Sequence, residues 1–117
     1  MPHLAGSPDE IRARVPPVLA AWQFMRDEVL RGGLVEPELK RLCFRFAATG
    51  EEPEGEQTPR ERLALRWAYA IVWDSDRADD DLWGRLHEAF SERELVDLGC
   101  AVGFYLGQRH FEQTLGA

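Results

Sequence analysis

Lysine is almost missing from this chain. Of 14 basic side chains only Lys40 is a lysine, and the other thirteen are arginines. That is a bias GC-rich coding produces, and it carries no mechanism by itself. Cysteine is scarce too. Cys43 and Cys100 are the only two, too few for a disulfide framework. Both fall in apolar helical stretches, where free thiols are common. The expectation is a reducing, cytoplasmic home. The opening "MPHLAGSPDEIRARV" lacks the apolar run of a signal peptide. No apolar stretch approaches the ~18 residues needed to cross a bilayer. Positive charge is in deficit, with a net charge of −7. That argues against a surface that tracks phosphates and against adsorption to anionic lipid. Neither nucleic acid nor a membrane is therefore an expected partner.

Metal and cofactor signatures are also lacking. The three histidines, His3, His87 and His110, are scattered. No His-x-x-x-His or Glu-x-x-His pair places two ligands on one helix face. His87, Glu88 and the Asp79–Asp81 run make a poor ligand set, and the aspartates read as helix capping. "RGGL" follows a helical stretch and reads as a stop signal rather than a phosphate cradle. No metal and no cofactor are expected.

What is present is helix punctuation. "SPDE" at Ser7–Glu10, "TPRE" at Thr58–Glu61 and "SERE" at Ser91–Glu94 are three capping boxes. In each the hydroxyl can accept from the backbone N–H three residues on, and the glutamate can reach back. Two have proline at the first helical position, where the missing N–H costs nothing. "DDD" at Asp79–Asp81 marks a fourth start, with acid at the positive end of the helix dipole. Apolar stripes follow at three-and-four spacing: Val18, Trp22, Met25, Val29; Leu39, Leu42, Cys43, Phe46; Leu63, Trp67, Ala70, Ile71; Leu82, Leu86, Phe90. Gly32-Gly33 and Gly50 read as stops. No alternating strand pattern competes. The chain of 117 residues reads as one all-α domain, a helical bundle. Residues 1–14 form a short N-terminal helix or arm, and the acidic "TGEEPEGEQTP", 49–59, is an exposed loop.

The final stretch, 94–116, is apolar almost all round from Leu95 to Leu106, then polar at Gln108, Arg109 and His110. Gly99, Gly103 and Gly107 recur every fourth residue and form one ridge. Each costs about 1 kcal/mol of helix propensity relative to alanine, and such a ridge lets another helix approach closely. Four short helices can hardly cover an apolar helix completely. The expectation is a homo-oligomer in which a second copy of the chain covers part of it.

The run "TPRERLALRWAYAIVWDSDRADDDLWGRLHEAFSERELVDLGCAVGFYLGQRHFEQTLG" resembles the carboxymuconolactone decarboxylase and alkylhydroperoxidase D-like family. That family has a capped helix, an aspartate-rich turn, a short amphipathic helix and a "ser-x-x-glu-leu-val" cap before a long apolar helix. "VPPVLAAWQFMRDEVLRGGLVEPELKRLCFRFA" resembles its first half. The resemblance implies an all-α fold assembled as a dimer, trimer or hexamer. It also implies a peroxidase chemistry in which a Cys-x-x-Cys pair and a nearby histidine reduce peroxide. The motif belongs between Ala48 and Leu63, where "TGEEPEGEQTPRER" has neither cysteine nor histidine. The family's helix glutamate falls at Arg41, and of its "tyr-asn-x-x-asn-arg" only Tyr105 is matched. The expected function is a non-peroxidase, homo-oligomeric binding or assembly domain. Alternatives are an alkylhydroperoxidase-like antioxidant oxidoreductase and a small-acid decarboxylase or hydrolase.

Three residues are candidates for chemistry. Cys43 follows Lys40 and Arg41, and nearby cations lower a thiol pKa; its place on an apolar stripe reads as a buried structural thiol. In a cleft between subunits, His110 could act as acid and base, with Arg109 holding the carboxylate of a small organic acid and Glu112 or Asp97 orienting the imidazole. The other reading of that pair is a solvated last turn, where cations suit the helix C-terminus. Trp22, Trp67, Trp73 and Trp83 could line an apolar pocket, or simply pack in the core.

Overall fold

The computed structural model describes residues 3–115. Those residues are helical, without strands. Helix α1 spans Pro8–Arg12 and α2 spans Pro16–Met25, continuing into a single π turn, Arg26–Leu30. Then come α3 (Pro37–Thr49), α4 (Pro59–Val72), a 3₁₀ turn (Ser75–Arg77), α5 (Asp80–Ala89) and α6 (Glu92–Gln113). All three capping boxes form with both of their hydrogen bonds. Asp79 caps α5 by accepting from the Leu82 N–H. Gly50 ends α3 in the left-handed region at φ 72°, donating its N–H to the Phe46 carbonyl.

Helices α3, α4 and α6 pack against one another, α5 lies on α4, and the π turn lies on α6. Leu39, Cys43 and Phe46 of α3 meet Ala64, Leu65, Trp67 and Ala68 of α4 and Leu95, Leu98, Ala101 and Val102 of α6 in one core. At Gly99, α6 makes room for the Trp67 ring of α4. A Cβ there would stand 2.7 Å from the Trp67 ring. Tyr105, the residue matched to the resembled family, stacks on Phe44 with ring centroids 4.6 Å apart.

The core holds a charge. Lys40 is completely buried. Its ammonium donates to the Val29 carbonyl at 2.7 Å and the Gly32 carbonyl at 2.8 Å, and pairs with Asp97 Oδ2 at 2.8 Å. The same Asp97 oxygen accepts the Leu34 and Val35 N–H groups, each at 2.8 Å. An ammonium has three donors and no acceptor, and here each donor has one oxygen. The pair thereby satisfies four backbone polar groups around the passage from the π turn to α3. Gly33 lies inside this cluster at φ 84°, and a Cβ there would come 2.3 Å from Asp97 Oδ1. Burial pushes the Asp97 carboxyl up; the Lys40 ammonium and the Val35 and Leu34 N–H groups outweigh it, and its pKa lies below the ordinary aspartate value.

A second clamp holds the N-terminal arm. Arg12, 3% exposed, donates to Gln108 Oε1 from Nε and Nη2 at 3.2 and 2.9 Å, and to Glu112 Oε1 at 2.7 Å. Its guanidinium lies 4.2 Å over the Trp22 ring. The α1–α2 arm is thus tied to the C-terminal half of α6. The Val18, Trp22, Met25, Val29 stripe lies on a helix as its spacing predicts, but no residue of α2 is buried. Trp22, Met25 and Val29 only lean on the core, and Val18 is 48% exposed.

Lys40→Met strands the Asp97 carboxylate and is expected to lower unfolding stability by about 3–5 kcal/mol in urea titration. Lys40→Arg is also destabilising, because a planar fork does not match three converging oxygens. Asp97 has a depressed folded pKa, so its contribution is full above the unfolded value of about 3.9 and is lost as pH falls through the folded one. Urea midpoints should therefore drop on acidification below about pH 4, and Asp97→Asn should flatten that drop while lowering stability near neutrality. Gly99→Ala should lower the Tm despite the helix propensity gained, whereas Gly103→Ala, with nothing within 4 Å of the added Cβ, should raise it in dilute protein.

Candidate functional site

Cys43 sits on the inner side of α3 with no exposure. Burial pushes its thiol up to about 12. The cations next to it in sequence do not lower it: Lys40 is spent on its three oxygens, and Arg41 is exposed on the outer side of α3 and faces Glu38. At neutral pH Cys43 is a protonated core side chain, which is the opposite of what a peroxide-attacking thiolate requires. Cys100, although it falls in an apolar helical stretch of the sequence, is exposed on α6. One thiol therefore lies inside the core and the other on the outside of the bundle.

Arg109 and His110 stay apart. Neighbouring residues on a helix point about 100° from each other. Arg109 is half-buried on the side of Tyr105, and His110 is exposed. Neither side chain makes a hydrogen bond or ion pair among the described residues. The two carboxylates expected to orient His110 are engaged elsewhere. Asp97 pairs with Lys40 nearly four turns away, and Glu112 takes Arg12. Within the single chain, then, no carboxylate orients His110. His87 is exposed, its ring 5.9 Å from that of Trp83. Among the described residues no three His, Cys, Asp or Glu side chains gather as a metal site, and no helix is long and apolar enough to cross a membrane.

The outer side of α6 is an apolar face with no partner in the bundle. Val96 is 66% exposed and Phe104 is 42% exposed. Cys100, Gly103, Gly107 and Phe111 share their face at helical spacing and are also exposed. No charged residue interrupts this stripe between Val96 and Phe111. Of the glycine ridge, only Gly99 meets another helix; nothing lies within 4 Å of a Cβ added at Gly103 or Gly107. Three residues beyond Gly107, His110 stands at the polar end of the same face.

A cleft of about 540 Å³ opens on the other side of the molecule, between α4, the 3₁₀ turn and the acidic loop. Its lining includes Phe46, Tyr69 and three arginines, Arg62, Arg66 and Arg77, but no tryptophan. Sequence reasoning missed it. Arg62, Arg66 and Tyr69 do share one face of α4, but Arg77 reaches them only through the turn after it.

No protein-family model, curated protein or solved structure matches the chain.

Cys43 should remain unmodified in the folded protein after mild peroxide and after exposure to an aromatic disulfide reagent, and should react once urea unfolds the chain. Mass spectrometry of the Cys43 peptide reads this directly, and sulfenylation of the native chain would contradict it.

Proposed function

We propose that this chain is a non-peroxidase, homo-oligomeric binding or assembly domain, a divergent carboxymuconolactone decarboxylase-like protein without the redox Cys-x-x-Cys, and that a second copy docks on the outer face of α6. The observation that carries the reading is the uncharged stripe from Val96 to Phe111, with Gly103 and Gly107 open to space. A helix pays for such glycines in propensity, and inside this bundle only Gly99 gains from it. A backbone approaching from another copy would use the other two.

The surface area supports the same occupant. The chain exposes 7512 Å², against ~6,500 Å² for a typical folded monomer of its mass. The excess of ~1,000 Å² is comparable with the ~800 Å² that each partner buries in a standard interface. The radius of gyration, 15.6 Å, likewise exceeds the ~13 Å of a compact chain this long. The α2 helix adds to the apolar surface through Val18 and through Phe24, which is 67% exposed. Two free thiols fit a reducing, cytoplasmic compartment. The antioxidant alternative has a protonated, buried Cys43 against it. The small-acid enzyme alternative has the divergence of Arg109 and His110 against it.

Association covers Cys100, which lies in the middle of the stripe. Its alkylation rate is expected to fall as protein concentration rises. Phe104→Glu, a change at an exposed position, should restore fast alkylation and leave the circular dichroism spectrum unchanged. A rate independent of concentration in the wild type would remove the α6 face as the docking surface.

A further inference from the structure

We propose that the cleft between α4, the 3₁₀ turn and the acidic loop binds a small organic monocarboxylate with an apolar or aromatic body. The cations converge from two elements. Arg62 and Arg66 are one turn apart on α4, and Arg77 comes from the 3₁₀ turn. Arg62 has no carboxylate partner among the described residues, and Arg66 and Arg77 have loose ones. Arg62 gives one Nη1 hydrogen bond to the Gln57 carbonyl, at 2.7 Å. The Asp81 carboxylate is 3.9 Å from Arg66, beyond hydrogen-bonding range. Arg77 is 3.4 Å from Asp74 and lies over the Tyr69 ring at 4.8 Å. Guanidinium forks match a carboxylate in two-pronged geometry.

The remaining lining sets the rest of the ligand. Phe46, Leu65, Tyr69 and Leu82 supply apolar surface, which a bare inorganic anion would not use. Two acids also line the cleft, Glu52 and Asp79. Asp79 is occupied in accepting the Leu82 N–H. Glu52, on the acidic loop, lines the same cleft, and its repulsion of a ligand grows with the ligand's negative charge. In a chain of net charge −7, the three arginines lining the cleft against the carboxylates of Glu52 and Asp79 leave one positive charge, which suits a single negative charge. The volume of about 540 Å³ lies in the range of small-ligand pockets. The inference does not depend on how copies of the chain associate.

The test titrates benzoate into the full chain, followed by NMR of the backbone and arginine Nε–H groups at constant ionic strength. Saturable binding is expected, with shifts at Arg62, Arg66, Arg77 and Tyr69. Arg62→Gln and Arg66→Gln should each weaken it about tenfold or more, while Arg85→Gln, outside the cleft, leaves it unchanged. Inorganic phosphate should not saturate the same residues. Absence of saturation by benzoate at about 10 mM, far beyond a useful millimolar affinity, would overturn the proposal. So would equal weakening by Arg85→Gln, or phosphate binding as tight as that of benzoate.

Discussion

The buried pair of Lys40 and Asp97 is the constraint on which the rest of this molecule depends. One ammonium gathers the Val29 and Gly32 carbonyls and one carboxylate, and that carboxylate gathers two backbone N–H groups from the next residues of the chain. The orphan polar groups of a helix end and of the tight passage after it are thereby satisfied inside the protein. A cation at this end also suits the dipole of the helix. Desolvating both charges is costly, and a hydrophobic pair of equal volume could hold the bundle as well. What the ion pair adds is position. Gly33 has no room for a Cβ within it, so the turn, α3 and α6 have one relative placement.

That placement fixes the rotation of α6. With Asp97 turned inward to Lys40, the buried residues Leu95, Leu98, Ala101 and Val102 follow on the core side. Val96, Cys100, Gly103, Phe104 and Gly107 are then left outside. Arg12 fixes the other end of the helix by holding Gln108 and Glu112. An apolar face that two polar clamps hold outward is not the result of loose packing. The chemistry proposed for the ends of α6 suffers for the same reason: both carboxylates that could serve His110 are structural. On the far side of the bundle, the cleft owes its arginines to α4 and the turn beyond it, away from these clamps.

The helices were legible in the sequence because their signals are local. A capping box spans four residues, and all three formed; Asp79 began α5 and Gly50 ended α3 as their chemistry requires. The site was less legible because its signals are not local. Lys40 stands among Leu39, Cys43 and Phe44 at core spacing, and a charge there reads as an edge residue until its three oxygens are known. Its being the lone lysine among arginines was the available hint. Asp97 looked like a partner for His110 because the two share a helix, whereas its real partner lies on α3. The Val18 stripe had helical period and correctly marked a helix, yet periodicity alone does not say whether an apolar face is covered by its own chain. Arg62, Arg66 and Arg77 gather only after the chain turns at Ser75–Arg77.

The measurement that bears most directly on the outward face of α6 is sedimentation velocity of the wild-type chain over a range of concentrations. A species of at least twice 13.4 kDa, dissociating on dilution or stable throughout, is expected. A single 13.4 kDa species at every concentration up to about 0.5 mM, where even a weak dimer of millimolar affinity would be visible, would contradict self-association through that face.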